Sequence, residues 1–192
     1  MEKTVTDKDL VLKCLNGSER DFEKLIERYS KKLYLFIYNK TGNNEDTEDI
    51  IQDTFLKAYR NLSSYDPKWN FSTWIYTIAS RTAASHFRYE NVRKKEPMIQ
   101  LNPVTTPEEE VMKEDISGIW KAAGKLSKKK YEIIRLRYGD GLSIREIGKI
   151  TGKSPVNIRV LIYRAKNELI RIINNTGEFS SALQNDPEKS MA

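Results

Sequence analysis

Cysteine and histidine are almost absent from this chain of 192 residues, which has Cys14 and His86 and no other residue of either type. One cysteine cannot build an internal disulfide framework, and the two residues together cannot supply a Cys₄ or Cys₂His₂ zinc site. Nothing in the sequence near His86 supports a Ser-His-Asp enzyme, and we find no phosphate-binding loop or metal-binding cluster. We therefore expect a protein without catalytic residues, metal or cofactor.

Long apolar runs are also missing. The longest run, residues 33–38, is far shorter than the roughly 20 apolar residues that a membrane-spanning helix needs. Residues 1–7 lack the basic and then apolar order of a signal peptide. We expect no membrane insertion and a cytoplasmic location.

Charge is distributed very unevenly along the chain. Residues 1–115 carry 18 Lys and Arg against 20 Asp and Glu, whereas residues 116–175 carry 14 against 4. The second segment therefore has a formal charge of +10, which is typical of a nucleic-acid-binding domain. A well-solvated helical surface is the alternative explanation, but it accounts less well for so large an excess.

Apolar residues recur with the 3.6-residue period of helices, and no alternating pattern of useful length predicts a strand. Between residues 91 and 115 the period is lost and three prolines appear. We predict an all-α protein of two helical domains, an N-terminal helical bundle and a C-terminal helix-turn-helix domain, joined by a flexible linker. The expected segments are a first domain at 1–92, the linker at 93–115, a second domain at 116–175 and a disordered tail at 176–192.

Residues 144–163, in the basic segment, fit a helix-turn-helix. Gly148 is small where two helices would cross closely, and Gly152 lies at the turn, where a positive φ is favoured. Ser154 can cap the second helix, and Pro155 can take its first position. The residues then left on the outward face are Asn157, Arg159, Val160, Tyr163 and Arg164. Arg and Asn there can read base edges in a major groove, although a plain helical hairpin remains the alternative.

Acidic residues are concentrated in residues 43–56, a stretch that contains no Lys or Arg. Acids near a helix N-terminus are mildly stabilised by the helix dipole, which is one explanation. Five of them exceed what the dipole requires, and like charges at helical spacing repel. A basic protein partner would offset that repulsion. The acidic residues are Glu45, Asp46, Glu48, Asp49 and Asp53.

The sign of the charge reverses in residues 57–95, which carry eight Lys and Arg against two acids, with aromatic residues between them. Basic charge with aromatic rings suits single-stranded nucleic acid, whose bases stack on the rings. Phe71 and Trp74 lie on the apolar stripe of a predicted helix, which favours a place in the core. Tyr65 and Trp69 lie in the preceding loop and are the better candidates for stacking.

Three motifs in this order resemble a bacterial sigma factor of the extracytoplasmic-function class. They are residues 46–59, residues 71–79 and the helix-turn-helix that ends at Lys166. The resemblance implies that the acidic helix docks on the clamp helices of the RNA polymerase β′ subunit. It also implies that the loop 65–71 and the following helix capture the minus-ten element of promoter DNA, and that the second domain reads the minus-thirty-five element and contacts the β flap.

The resemblance also implies roles for individual residues. The core-polymerase-binding residues would be Asp46, Glu48, Asp49, Gln52 and Asp53. The minus-ten residues would be Tyr65, Trp69, Asn70, Phe71, Arg81 and Arg88. The minus-thirty-five residues would be Ser154, Asn157, Arg159, Tyr163 and Arg164. Arg81 stands where the family often has Asn, and Val160 stands where a small polar residue is frequent. The resemblance therefore does not settle one contact at the minus-ten element and one contact at the minus-thirty-five element.

We therefore expect a dissociable transcription initiation subunit that binds core RNA polymerase and opens promoter DNA. The alternative is an autonomous helix-turn-helix regulator whose first domain senses a ligand or binds a partner. The acidic helix followed by a basic and aromatic segment favours the first function, because a sensor domain does not need that reversal of charge. Whether an anti-sigma factor also binds the chain is left open.

Overall fold

The computed structural model describes residues 5–93 and 114–176, with side chains described for 5–90 and 118–175. In these ranges every regular element is helical, and no helix is both long and apolar enough to cross a bilayer. The α-helices are α1 (Asp7–Leu15), α2 (Glu19–Thr41), α3 (Asn44–Arg60), α4 (Phe71–Arg93), α5 (Glu114–Ala123), α6 (Lys128–Ile134), α7 (Ile144–Thr151) and α8 (Pro155–Thr176). The all-α prediction is confirmed.

The predicted linker at 93–115 and the predicted disordered tail at 176–192 fall almost entirely outside the described residues. Helix α4 continues to Arg93 and α5 begins at Glu114, so the helices end within two residues of the predicted boundaries. Whether those boundaries delimit functional units stays a prediction.

Local sequence signals place the helix ends of the first domain. Thr6 and Asp9 form a reciprocal capping box at the start of α1. Helix α2 ends at Gly42, whose φ of 77° lies in the left-handed region that glycine adopts without strain. Asn43 then caps α3 by accepting a hydrogen bond from the backbone amide of Asp46.

Helix α2 lies at the centre of the first domain, where it packs against α1, α3 and α4. Its apolar stripe is buried, and Leu25, Leu33 and Ile37 have no exposed surface. Burying a side chain of that size contributes roughly 1.5–3 kcal/mol relative to leaving it exposed. The apolar face of α2 therefore belongs to the core, as the 3.6-residue period predicts.

The second domain has a small core of its own, separate from the hydrophobic cluster that it shares with the first domain. Helices α5, α6 and α8 enclose Trp120, Leu126 and Tyr131. Helix α6 continues into a π-helical turn, Arg135–Gly139, and Gly141 (φ 70°) then redirects the chain into α7.

The two domains pack against each other, which the sequence did not predict. Helix α4 lies against α7, and α2 lies against α6. Leu136, Leu142 and Ile147 of the second domain belong to the same hydrophobic cluster as Tyr76 of α4, which is fully buried. Periodicity shows which face of a helix is apolar, but it does not show which other helix covers that face.

Gly148 is required for a reason different from the one that the sequence suggested. A Cβ at this position would lie 2.7 Å from the backbone carbonyl oxygen of Lys153, within the turn itself. The amides of Gly152 and Lys153 both donate to the Gly148 carbonyl, which brings the turn this close. The tight contact is therefore with the turn backbone and not with a crossing helix.

We predict that Gly148→Ala destabilises the protein by about 1–3 kcal/mol, because the added methyl group forces the turn backbone to move. Urea unfolding followed by circular dichroism measures the loss. Gly152→Asn is the matched control, since asparagine tolerates the left-handed conformation and an added Cβ there meets nothing within 4 Å. An equal loss in both variants would contradict this explanation.

Candidate protein and nucleic-acid interfaces

The first acid of α3 is held by other residues of the chain. Asp46 accepts a hydrogen bond from Asn43 Nδ2 at 2.7 Å, and its own amide donates to Asn43 Oδ1 at 2.8 Å. Its Oδ1 lies 3.3 Å from His86 Nε2 of α4. Asp46 is therefore half-buried and stabilises the start of the helix, whatever it contributes to a partner.

The remaining predicted polymerase-binding residues form an exposed face on α3. Glu48, Asp49, Gln52 and Asp53 are all exposed. Residues three and four apart on a helix are neighbours, so Asp49, Gln52 and Asp53 share one side. The Asp53 carboxylate lies 3.3 Å from the Lys57 ammonium, which ends the acidic stretch.

Leu56 extends this acidic face and was missed by the sequence reasoning. Its side chain is 45% exposed, although it lies on a helix with an otherwise buried apolar stripe. A leucine that does not fit the 3.6-residue stripe is the signal that could have identified it. The resulting surface of Asp49, Gln52, Asp53 and Leu56 combines negative charge with an exposed apolar group, as protein interfaces often do.

The prediction that Tyr65 lies in the loop as a free stacking group is wrong. Its side chain is only 8% exposed, and its hydroxyl donates to the Trp69 carbonyl oxygen at 2.6 Å. Its ring packs edge-on against Phe71 and Trp74. Burial raises the pKa of the Tyr65 hydroxyl. Tyr65 therefore closes the loop upon the core and cannot stack on a base in this conformation.

Phe71 is also buried, at 2% exposure, as its place on the apolar stripe indicated. The prediction that Phe71 contacts the minus-ten element is therefore wrong for this conformation, because a buried ring offers no surface to DNA. Trp69 is at the surface, as predicted, but Lys149 Nζ of α7 lies 3.5 Å from the centre of its ring. That cation–π contact occupies one face of the ring, which stays 36% exposed.

Trp74 was expected in the core; it packs against the core as a partly buried side chain and also borders a groove between α3 and α4. The groove has a volume of about 410 Å³ and is lined by Lys57, Trp74 and Arg81 together with the polar side chains of Asn61, Ser64, Thr82 and Ser85. Cationic and aromatic groups side by side suit a nucleotide strand. Arg81 and Arg88 are both exposed on α4, which agrees with their predicted role.

The recognition helix α8 has the faces that the sequence predicted. Ser154 Oγ accepts a hydrogen bond from the Asn157 amide at 3.3 Å, and Pro155 begins the helix. Ile158 and Ile162 are buried. The exposed residues are Asn157, Arg159, Val160, Tyr163 and Arg164. Val156, which the sequence reasoning left out, is 63% exposed one residue after the start of the helix.

Two family models match the chain, and together they cover most of the described residues. Residues 25–93 match Sigma-70 region 2, and residues 118–169 match Sigma-70 region 4. The sequence is also 30% identical to the ECF RNA polymerase sigma factor SigW of Bacillus subtilis, over 80% of this chain and 89% of that protein.

This chain belongs to the ECF sigma factor family.

Other relatives agree with that assignment. The ECF sigma factor BldN of Streptomyces coelicolor is 30% identical, over 86% of this chain but only 65% of BldN. The ECF sigma-E factor of Escherichia coli K12 is 28% identical, over 88% of this chain and 95% of that protein. The match of residues 25–93 to a sigma region does not favour the alternative of a sensor domain attached to a regulator.

Solved structures show the same fold. The sigma factor RpoE of Bartonella quintana, determined in complex with the anti-sigma factor NepR, aligns with a TM-score of 0.64 at 23% identity, over 81% of this chain and 98% of that one. CnrH in complex with the cytosolic domain of CnrY aligns with a TM-score of 0.59 at 22% identity, over 88% and 97%. The ECF sigma factor family is a family of transcription initiation factors and not of enzymes.

We predict losses of stability of very different size for alanine at the two loop aromatics of this sigma factor. Tyr65→Ala removes a buried ring and should cost about 3–5 kcal/mol of unfolding free energy. Trp69→Ala removes a partly exposed ring and should cost about 1 kcal/mol or less. Urea denaturation measures both. Tyr65→Phe, which loses only the hydrogen bond to the Trp69 carbonyl, is the control at about 1 kcal/mol.

A Tyr65→Ala protein as stable as the wild type would contradict the buried position of this ring. A large loss for Trp69→Ala would show that its contact with Lys149 contributes more than an exposed cation–π pair normally does.

Proposed function

We propose that this ECF sigma factor binds core RNA polymerase through the exposed face of α3, and that it recognises promoter DNA through the α3–α4 side of the first domain and through α8. The observation that carries the proposal is the pairing, within one chain, of an exposed acidic face with a helix-turn-helix whose outward face is basic. A basic surface on polymerase requires an acidic surface on its partner, whereas DNA requires a basic one. The chain has both kinds of surface. These partners imply action in the cytoplasm.

The acidic face suits a protein surface rather than DNA. Glu48, Asp49 and Asp53 would repel phosphates, while a basic patch on a partner would relieve their mutual repulsion. Leu56 adds apolar surface at the edge of the same face. By the family resemblance, the partner surface is the β′ clamp helices.

For the minus-ten element, the groove at Lys57, Trp74 and Arg81 is the best candidate contact surface. Its cationic groups can neutralise phosphates, and the Trp74 ring can support an unstacked base at about 1–3 kcal/mol. Trp69 and Asn70 are exposed in the loop that precedes α4, where they contact Lys149 and Glu146 of α7. Tyr65 and Phe71 act as the packed base of the loop.

For the minus-thirty-five element, α8 presents base-reading and phosphate-binding groups on one exposed face. Asn157 and Arg159 lie in its first two turns, which usually meet base edges. Ser154 caps the helix, so its contribution is to orient the first turn toward DNA.

Reconstitution tests the proposal directly. The purified full chain is added to bacterial core polymerase with genomic DNA of its own organism, and the 5′ ends of the transcripts are sequenced. We expect start sites that depend on the chain and that share two upstream sequence elements. Transcripts without any common upstream element, or no dependence on the chain, would contradict the function.

We predict that Asp49→Lys combined with Asp53→Lys weakens core binding by about 3 kcal/mol, roughly 100-fold, because like charges then meet across the interface. Both side chains are exposed, so the fold should be unaffected. Glu23→Lys with Glu27→Lys, a reversal of the same size on exposed positions of α2, is the control. Equal affinity of both double variants for immobilised core would refute the assignment of this face.

We predict that the two arginines of the recognition helix differ in role. They are five residues apart and thus about 140° apart around the helix. Arg159→Ala should relax specificity at one base pair at a cost of about 1–3 kcal/mol, since it lies nearer the base edges. Arg164→Ala should weaken binding evenly and reduce the salt slope by about one, as for a lost phosphate contact.

Single-base variants of the upstream element, tested with the holoenzyme at several salt concentrations, distinguish the two roles. Equal losses on every variant for Arg159→Ala would show that it contacts phosphate. No loss for either substitution would show that this face of α8 does not meet DNA.

A further inference from the structure

The outward face of α8 is apolar at its centre. Val156, Val160 and Tyr163 are 63%, 41% and 67% exposed. At about 100° per residue, Val160 lies about 40° to one side of Val156 and Tyr163 about 20° to the other. The buried Ile158 and Ile162 lie on the opposite side of the helix. In the first turns of α8, the positions farthest from the buried stripe are therefore apolar rather than charged.

The two arginines of the recognition helix flank this apolar strip. Relative to Val156, Arg159 lies about 60° to one side and Arg164 about 80° to the other. Both side chains are exposed. Cationic groups on both sides suit a helix that lies in a groove with a phosphate strand along each edge. The residues between the two arginines then face the floor of that groove.

The stability of the chain does not explain the two valines. A β-branched side chain loses rotamer freedom in a helix, so valine is a poorer helix former than alanine. The cores that α8 helps to form use other residues, among them Ile158 and Ala165. Single exposed apolar residues are common. Here three lie together on adjacent turns and between cations, which indicates a surface that another molecule covers.

The major groove of DNA offers one apolar group that such a strip can cover. Among the base-pair edges in that groove, only thymine carries a methyl group, at C5. The other bases present mainly hydrogen-bonding groups, and a valine would remove water from these without replacing the hydrogen bonds. A valine at the floor of the groove therefore favours thymine over the other three bases.

The spacing of the valines limits how far apart the thymines can be. Val156 and Val160 are four residues apart, which is about 6 Å along the helix axis. Successive base pairs are about 3.4 Å apart, so the two side chains span no more than two base-pair steps. Tyr163 lies about 4.5 Å farther along, beside Arg164. A phosphate contact is expected there, and Tyr163 is therefore not assigned to a base.

We propose that Val156 and Val160 bind the C5 methyl groups of thymines at two neighbouring base pairs of the minus-thirty-five element. This readout rests on the function proposed above, because it requires α8 to lie in the major groove of promoter DNA. The thymines can be on either strand, since both strands present their methyl groups in that groove. Burial of one methyl group is worth roughly fourfold in affinity, or about 0.8 kcal/mol at about 1.4 kcal/mol per tenfold.

Deoxyuridine tests the contact, because it pairs as thymidine does and keeps the O4 acceptor but lacks the methyl group. The minus-thirty-five element mapped by the transcription experiment above is placed in a duplex, and each of its thymines is replaced in turn by uracil. Binding of the full chain, assembled with core polymerase, is then measured. We expect a roughly fourfold loss at each of two neighbouring thymines and a roughly 15-fold loss with both replaced. Uracils between the two promoter elements should cause no loss.

Alanine variants assign each methyl group to one valine. Val156→Ala and Val160→Ala should each become insensitive to uracil at one of the two positions and keep the wild-type loss at the other. Ile170→Ala is the matched control, since it shortens a β-branched side chain on the same helix about 15 Å beyond Val160. It should keep both losses. All three side chains are exposed, so the fold and the affinity for core polymerase alone should be unchanged.

Equal binding of thymine and uracil duplexes at every position would overturn the proposal, and so would a mapped element without thymines. A uracil effect that persists in both valine variants would overturn it too, because another group would then read the methyl groups. Weaker binding of both variants to core polymerase alone would show that the strip meets a protein instead of DNA. In each of these cases the proposed function stands. If the wild-type chain directs no promoter-specific transcripts, the function falls and the thymine readout falls with it.

Discussion

The contact of α4 with α7 joins the two domains of this sigma factor, and the Glu146 carboxylate lies within it. Glu146 is partly buried, and a carboxylate withdrawn from water is costly unless its oxygens are hydrogen-bonded. Here donors from both domains satisfy it, including Asn70, Thr73 and the amide of Ser143. The same group thus sets the start of a helix-turn-helix and its position against the first domain. Lys149 of α7 also lies over one face of the Trp69 ring, which is otherwise partly exposed.

The packing leaves the charged surfaces unequally available. The acidic face of α3 and the basic face of α8 are both exposed, whereas the beginning of α4 is covered. A basic protein surface could therefore meet Asp49 and Asp53 without any rearrangement. Asn70 is also exposed, although its side-chain amide donates to Glu146 of α7.

The aromatic residues show how far the sequence could predict the site. Periodicity correctly assigned Phe71 to the core and Trp69 to the surface. It failed for Tyr65, because a tyrosine in a loop can fold back when its hydroxyl finds a backbone partner, here the Trp69 carbonyl. It placed Trp74 against the core correctly, but it did not show that the partly buried ring also borders a groove. The groove could not be foreseen without the position of the neighbouring helix.

The sequence by itself determined the helices, their apolar faces, the turn at Gly152 and the outward residues of α8, because these follow from periodicity, capping and glycine conformation within a few residues. Its motifs also determined the family. Only the tertiary structure decided that Asp46 lies beside His86 and that Lys40 pairs with Glu132. These contacts join residues from separate helices, and a local pattern shows which face is apolar or charged but not which distant surface it meets.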